Sequence, residues 1–105
     1  FLALITAMPD IDEVIHQPVR LRIMAALCSL GPREQADFSY LKEKLALTDG
    51  NLGAHLRTLE AAGHVSVEKT FVDRRPKTYL AASTSGRKAF AAHVAALQQI
   101  LNSSD

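Results

Sequence analysis

Apolar residues in this chain recur with helical spacing over most of its length and with strand spacing in one short stretch. Ile23, Leu27 and Leu30 follow one another at intervals of four and three residues, as one buried face of a helix requires. Val65 and Val67 instead alternate with polar residues, and strand character resumes at 77–81, which predicts a β-hairpin. The pattern therefore predicts a mainly α chain with a small β-hairpin, in the α+β class.

Capping signals divide the first half of the chain into helices. Asp10 is predicted to cap a first helix that ends at His16, and Pro18 suits the first turn of a second helix. The dipeptide at 31–32, Gly-Pro, ends that second helix. A short edge strand is predicted at Phe38, and Ser39 is predicted to cap the short helix that follows it.

The second half carries the change of period. Thr48 is predicted to cap a helix over 49–62, with Gly63 as its C-terminal glycine. Residues 71–76 are polar, basic and contain a proline, so they predict a loop at the end of the hairpin. Ser83 is predicted to cap a final alanine-rich helix that runs to about Leu101. Two helices joined by a short turn form a helix-turn-helix, and the hairpin follows it directly.

Three segments carry a family resemblance: PVRLRIMAAL, FSYLKEKLALTDGNLGAHLRTLEAAGHV and VEKTFVDRRPKTYLAASTSGRKAF. They resemble the prokaryotic MarR/ArsR-like winged helix-turn-helix regulators, and most closely the small stand-alone winged-helix DNA-binding domains. The resemblance spans about residues 11–101. It implies a sequence-specific regulator that binds double-stranded DNA, acts as a dimeric repressor, places its recognition helix in the major groove and lays a basic wing on the backbone or minor groove.

The recognition helix of such a protein supplies the first group of candidate DNA contacts. Asn51 can pair with adenine and Arg57 with guanine or a phosphate, although Asn51 could serve only as a local cap and Arg57 could pair with Glu60. Two glycines cost helix stability, which suits either close approach to DNA or a frayed helix. The candidates are Thr48, Gly50, Asn51, Gly53, Ala54, His55, Arg57 and Thr58.

The wing supplies the second group of candidates: Arg74, Arg75 and Lys77. Cations on a projecting hairpin can contact phosphates or enter a narrow minor groove, whereas the plain alternative is a merely solvated tip. Arg20 matches an arginine of the resembled family, and we expect it to brace the fold rather than to reach a phosphate.

Charge is distributed unevenly along the 105 residues. The formal net charge is only +1, which excludes a histone-like protein or a polybasic tail. Counted by segment, residues 1–37 are net −2, residues 38–82 are net +2 and residues 83–105 are net +1. The net charge of the whole chain therefore hides a mildly basic segment over 38–82, which contains the helix-turn-helix and the hairpin.

The terminal helices have more apolar residues than a monomer needs. We expect a single domain over 1–105, with a reading head at about 38–82 and dimerisation helices at about 1–30 and 83–102. The alternative is that the last helix only closes the domain's own core. The predicted contacts of a homodimer are Leu4, Ile5, Phe90, Val94, Leu97 and Leu101.

Other classes of protein find little support in the sequence. Cys28 is the single cysteine, expected to be a small buried hydrophobe, so a disulfide within the chain and a cysteine-based zinc site are excluded. The four histidines are scattered, and no catalytic or cofactor motif is present, so we expect no enzyme activity, no metal and no cofactor. We also expect a cytoplasmic location and no membrane segment. A small-molecule effector at the dimer interface is left open, as is the rival function of a protein-interaction winged helix with weak or no DNA binding.

Overall fold

The computed structural model describes residues 11–103, which form five helices and three strands. The helices are Glu13–His16 (α1), Pro18–Cys28 (α2), Phe38–Leu45 (α3), Asp49–Ala61 (α4) and Thr84–Asn102 (α5). The strands are Ala36–Asp37 (β1), Val65–Val72 (β2) and Arg75–Ala82 (β3), and they form an antiparallel sheet in the order β1-β3-β2. The mainly α architecture with a small sheet confirms the predicted α+β class.

The aliphatic stripes read from the sequence meet in one core. Four of the helices and the sheet contribute side chains with almost no solvent exposure, and the stripes of α2 and α4 meet there. The largest of these side chains are Ile15, Ile23, Met24, Leu27, Leu41, Leu52, Leu59 and Leu80. Cys28 packs against this core while half-buried, and burial raises the pKa of its thiol. The thiol therefore stays protonated at neutral pH.

Most of the predicted caps are confirmed. The Thr48 hydroxyl accepts the Asn51 N–H at 3.1 Å, and the Ser83 hydroxyl accepts the Gly86 N–H at 2.9 Å. Gly63 has a φ of +81°, the left-handed conformation expected of a glycine after a helix.

Two helix starts differ from the prediction. The Asp12 carboxylate, rather than that of Asp10, caps α1 and accepts from Val14 N–H at 2.9 Å; Asp10 lies outside the described residues. Asp37, rather than Ser39, caps α3, and its carboxylate accepts the Ser39 N–H at 2.7 Å. The short edge strand exists but ends at Asp37, so Phe38 is already helical.

The predicted loop over 71–76 is wrong. β2 and β3 stay paired out to Val72 and Arg75, so that only Asp73 and Arg74 form the turn. Both turn residues have positive φ values, +51° and +66°, as in the tight turns that match the twist of a hairpin. Pro76 is tolerated because β1 pairs with only two residues of β3, Tyr79 and Leu80, which leaves the outer part of β3 with a neighbour on one side. The wing is therefore a long, regular two-stranded ribbon.

Helix α5 closes the domain across α2 and the base of the wing. The Arg87 guanidinium donates to the carbonyls of Cys28 at 3.3 Å and Leu30 at 3.1 Å, which satisfies the C-terminal end of α2. The buried side of α5 consists of Gly86, His93 and Ala96. None of the helices in residues 11–103 combines the length and apolar character that crossing a bilayer requires.

The predicted dimer stripe lies to one side of this buried face. Phe90 packs partly against the protein's own core, Val94 and Leu97 are half-buried, and the Leu101 side chain is 72% exposed. The other two predicted contacts, Leu4 and Ile5, lie outside the described residues. α5 thus closes its own core and also leaves apolar surface on an adjacent side.

Candidate DNA-binding surface

Helices α3 and α4 form a helix-turn-helix with a tight connection. Ala46 adopts a left-handed conformation, φ +55°, and its neighbour Leu47 donates its N–H to the Lys42 carbonyl at 3.0 Å, which ends α3. The Arg22 guanidinium of α2 donates to the Leu45 carbonyl at 2.9 Å and holds this end in place. α4 then starts at a fixed angle to α3, supported by the buried aliphatic residues beneath it.

An ion pair joins the start of α4 to α3. Lys42 Nζ lies 2.9 Å from Asp49 Oδ1. Asp49 is the one acidic residue in the first turn of α4, where it also interacts favourably with the helix dipole. Because Lys42 compensates its charge, Asp49 does not leave an isolated negative charge at the end of the helix that would meet DNA.

The outward side of α4 is made of small and polar residues. Leu52, Leu56 and Leu59 are buried, whereas Gly50, Asn51, Ala54, Arg57 and Thr58 are exposed. A Cβ at Gly50 would meet nothing within 4 Å, and one at Gly53 would meet only the Arg57 guanidinium at 3.6 Å. Packing within the described chain therefore does not require either glycine, and their effect is to leave the helix backbone open to close approach from outside.

The polar candidates on α4 differ in how far they are already engaged. Thr48 supplies the cap, so the Asn51 side-chain amide is not needed for it and has no hydrogen-bond partner among residues 11–103. Arg57 makes no ion pair with Glu60 in the described part of the chain, so the local pairing considered from sequence is not formed. The Thr58 hydroxyl, by contrast, bonds back to the Ala54 carbonyl at 3.3 Å.

His55 is half-buried on the flank of α4, beside Arg20 of α2. Arg20 Nη1 lies 3.3 Å from His55 Nδ1, and Arg20 Nε donates to the Val14 carbonyl. Burial, and then the Arg20 charge, lower the pKa of His55, so its imidazole is uncharged at neutral pH. Arg20 therefore braces α1 and α2 against the recognition helix, as expected from the sequence.

The three cations predicted in the wing are not equivalent. Arg74 and Arg75 are exposed and take part in no ion pair within residues 11–103. Lys77 lies within β3, where strand character was predicted, and its Nζ donates to Asp37 Oδ2 at 2.6 Å. That hydrogen bond raises the pKa of Lys77 and lowers the pKa of Asp37, so the charge of Lys77 is already compensated.

Three of the four histidines gather at the back of the reading head, which their wide separation in sequence concealed. His64 Nε2 lies 3.2 Å from Asp12 Oδ2, the Asp12 N–H donates to His93 Nδ1 at 3.3 Å, and the His16 and His93 rings meet edge to face at 5.4 Å. Within residues 11–103, no group of three or more His, Cys, Asp or Glu side chains is placed to hold a metal ion. The cluster joins α1, α5 and the turn between α4 and the wing.

The His93 environment predicts a pH-dependent stability. Burial lowers the pKa of His93, the neighbouring His16 adds to this effect, and Asp12 opposes it. A histidine in the unfolded chain has a pKa of about 6.5, so below that pH it is protonated. In the folded chain His93 stays unprotonated to a lower pH, and the free energy of unfolding therefore falls as the pH is lowered. We expect the thermal midpoint to be lower at pH 5.5 than at pH 7.5. His93→Asn keeps an acceptor for the Asp12 N–H but does not titrate, so it reduces this difference; an undiminished difference would contradict the assignment.

The geometry of a helix-turn-helix followed by a two-stranded wing defines a winged-helix DNA-binding domain. The chain belongs to the winged helix DNA-binding domain family, whose model matches residues 19–101. It is 40% identical over 88 residues to an uncharacterized protein of Methanocaldococcus jannaschii, an alignment that covers 84% of this chain and 92% of that protein. The predicted resemblance to winged helix regulators is confirmed.

A solved structure extends the likeness over nearly the full length of this chain. The transcriptional regulator homologue protein from Pyrococcus horikoshii OT3 is 33% identical and superposes with a TM-score of 0.80, covering 99% of this chain and 96% of that one. The family and this structural match together support a DNA-binding regulator.

Proposed function

We propose that the protein is a dimeric repressor that binds a pseudo-palindromic DNA site through α4 and the wing. The observation that carries the proposal is the outward face of α4, where the Asn51 amide and the Arg57 guanidinium lie on a helix whose glycines leave its backbone open. The major groove admits a helix, and amide and guanidinium groups match the edges of adenine and guanine.

The wing adds affinity that does not depend on sequence. Arg74 and Arg75 are exposed at its tip, where they can neutralise phosphates on either side of the groove that α4 enters. Phosphate contacts fix register and orientation, while the contacts of α4 to base edges select the sequence. Repression would follow from occupancy of a site that the polymerase needs.

Dimerisation through α5 would give the protein two reading heads. Val94, Leu97 and Leu101 form the apolar part of α5 that its own core does not fully cover, and alanines beside them permit close packing of a second helix. A two-fold dimer of winged helices places its recognition helices about 34–36 Å apart, one turn of DNA.

Selection of bound sequences from a pool of random duplexes tests the proposal directly. The expected outcome is a palindromic motif whose half-sites are centred ~10 bp or a multiple of that apart, recovered by a species of twice the chain mass in light scattering. If the folded dimer binds neither heparin nor duplex DNA at low salt, that result would favour the protein-interaction function instead.

A further inference from the structure

Helix α1 is a short element that packs against α2, α4 and α5. It has four residues, and Ile15 is the one side chain among them that is fully buried. Because so little of α1 is anchored in the core, its position depends on polar contacts at its start and along its backbone. Some of these contacts reach α4 and the turn after it, and another reaches α5.

The contacts toward α4 run through Arg20 and His64. The Arg20 guanidinium donates through Nε to the Val14 carbonyl of α1, and its Nη1 lies 3.3 Å from His55 Nδ1 in the middle of α4. Beyond the end of α4, His64 Nε2 lies 3.2 Å from the Asp12 carboxylate that caps α1. The position of α1 is therefore tied to α4 at its middle and just past its C-terminal end.

The contact toward α5 centres on a buried histidine. The Asp12 N–H donates to His93 Nδ1 at 3.3 Å, so Nδ1 is the unprotonated ring nitrogen and the ring hydrogen lies on Nε2. His93 is 1% exposed, and its Nε2 has no hydrogen-bond partner among residues 11–103. The site therefore accommodates the neutral form of the ring.

The titratable groups that face His93 come from α1 and from the turn after α4. α1 supplies the Asp12 carboxylate and His16, whose ring meets that of His93 edge to face at 5.4 Å. His64 reaches the same carboxylate from the turn. On the side of α2, the Arg87 guanidinium of α5 is engaged by the carbonyls at the end of that helix. In the described part of the chain, the Asp12 carboxylate makes its hydrogen bonds to the α1 backbone and its ion pair to His64, not to the His93 ring.

A proton on Nδ1 of His93 would remove the contact with Asp12. An imidazolium has two N–H donors and no acceptor, so Nδ1 and the Asp12 N–H would face each other as two donors. The new charge would also lie in a site that is almost closed to solvent. In agreement with this geometry, burial and then the neighbouring His16 lower the pKa of His93. Separation of α1 from α5 relieves both costs, because it exposes the ring to water.

We propose that the Asp12–His93 contact makes DNA binding sensitive to protons: protonation of His93 releases α1 from α5, and α4 then loses the support that fixes its position relative to the wing. This inference rests on the proposed function and adds regulation of the same surface. The released state binds one more proton than the docked state, so lowering the pH favours release and weakens DNA binding below about pH 6.5.

The direction of the effect separates this proposal from ordinary electrostatics. Protonation of a histidine adds positive charge, which strengthens binding to a polyanion such as DNA. A proton on His55, on the flank of α4, would act in that direction. A loss of affinity on acidification therefore requires a structural cause.

Anisotropy titrations of the labelled 30-bp duplex recovered by selection test the proposal at pH 7.5 and pH 5.5 and constant salt. We expect the affinity of the parent protein to fall by about tenfold at the lower pH. His93→Asn keeps an acceptor for the Asp12 N–H but does not titrate, so its affinity changes by less than about twofold. Far-UV circular dichroism at both pH values shows that each protein is folded, so that a lower affinity does not report unfolding.

His64→Gln is the matched control within the same cluster. It also removes one titratable ring, but the glutamine amide can still donate to the Asp12 carboxylate and the His93 site is unchanged. We expect this variant to keep the fall in affinity that the parent shows.

NMR of the parent protein gives a second measurement that needs no variant. Because coupling between two binding equilibria is reciprocal, a duplex that prefers the docked state also opposes protonation of His93. Saturating duplex should therefore lower the pH at which the His93 ring titrates, by about one pH unit for a tenfold effect on affinity. This titration decides the question if His93→Asn does not fold.

The outcomes separate this inference from the function on which it rests. A parent affinity at pH 5.5 that equals or exceeds the affinity at pH 7.5 overturns the inference and leaves the DNA-binding proposal in place. The same holds for an equal fall in His93→Asn, and for a His93 titration that the duplex does not move. Loss of the fall in His64→Gln assigns the pH dependence to the ion pair with Asp12 and also overturns the inference. Absence of duplex binding by the folded parent at pH 7.5 overturns both proposals.

Discussion

Replacing Arg74 and Arg75 together by alanine lowers the salt dependence of DNA binding by about two phosphate contacts for each wing on the duplex. Each neutralised phosphate contributes about −0.9 to the slope of log K against log salt concentration, so the slope changes by about 1.8 for one wing and about 3.6 for two. For one wing, the ratio of parent to variant affinity then falls about twelvefold between 50 and 200 mM salt. The measurement is a salt titration of duplex binding by anisotropy.

A control of equal charge separates local contact from net charge. Arg33→Ala combined with Lys88→Ala also removes two positive charges, one from a loop and one from α5, both outside α4 and the wing. We expect it to change the slope by less than half a contact, because screening confines the effect of distant charges. Two outcomes would show that the wing makes no phosphate contact. In one, the slope of log K against log salt concentration is reduced equally in both double variants; in the other, it is unchanged in Arg74→Ala/Arg75→Ala.

The helical part of the fold was predictable because local signals and burial agree there. The stripes of α2 and α4 became the core, and Thr48, Gly63 and Ser83 act at the helix ends where their side chains or backbone freedom predicted them. Such caps act over three or four residues, so sequence spacing alone specifies them. Most of the candidates on α4 are likewise exposed, because a helix that buries one face must present the other, whereas Gly53 and His55 on its flanks are half-buried.

The wing and the polar contacts behind it were less accessible to the same reasoning. A proline and three charges within 71–76 indicated a loop, yet strand pairing continues, since the outer part of β3 is an edge where neither feature breaks a ladder. The engagement of Lys77 by Asp37 joins residues 40 positions apart. The bond from Asp12 to His93 spans 81 positions. The spacing of apolar residues does not predict contacts between residues so far apart in sequence, because these contacts depend on how the helices and strands pack together.

Gly86→Ala lowers the free energy of unfolding by about 3 kcal/mol, the largest effect on stability that we expect from a single methyl group in this chain. Gly86 is buried in the first turn of α5, and a Cβ there would overlap the backbone carbonyl of His64. That carbonyl already accepts the Ser83 N–H at 3.0 Å, and the Ser83 and Ser85 hydroxyls bond to the Gly63 carbonyl at 2.6 and 2.8 Å. Backbone on both sides is fixed, so relief requires α5 to move away from the end of α4. For a domain of this size the thermal midpoint falls by roughly 15 °C.

Gly53→Ala is the matched control, because it makes the same chemical change within a helix but without a clash. Its Cβ would be in ordinary contact with the flexible end of Arg57, so helix propensity decides the sign and the variant gains up to about 1 kcal/mol. Urea unfolding of both variants should therefore give midpoints on opposite sides of the parent with an unchanged m-value. A stabilised Gly86→Ala would mean that α5 does not rest on the His64 carbonyl. The predicted loss instead places the cost at the junction where α4, the wing and α5 meet. The relative position of the two elements that we propose contact DNA then depends on the absence of one methyl group.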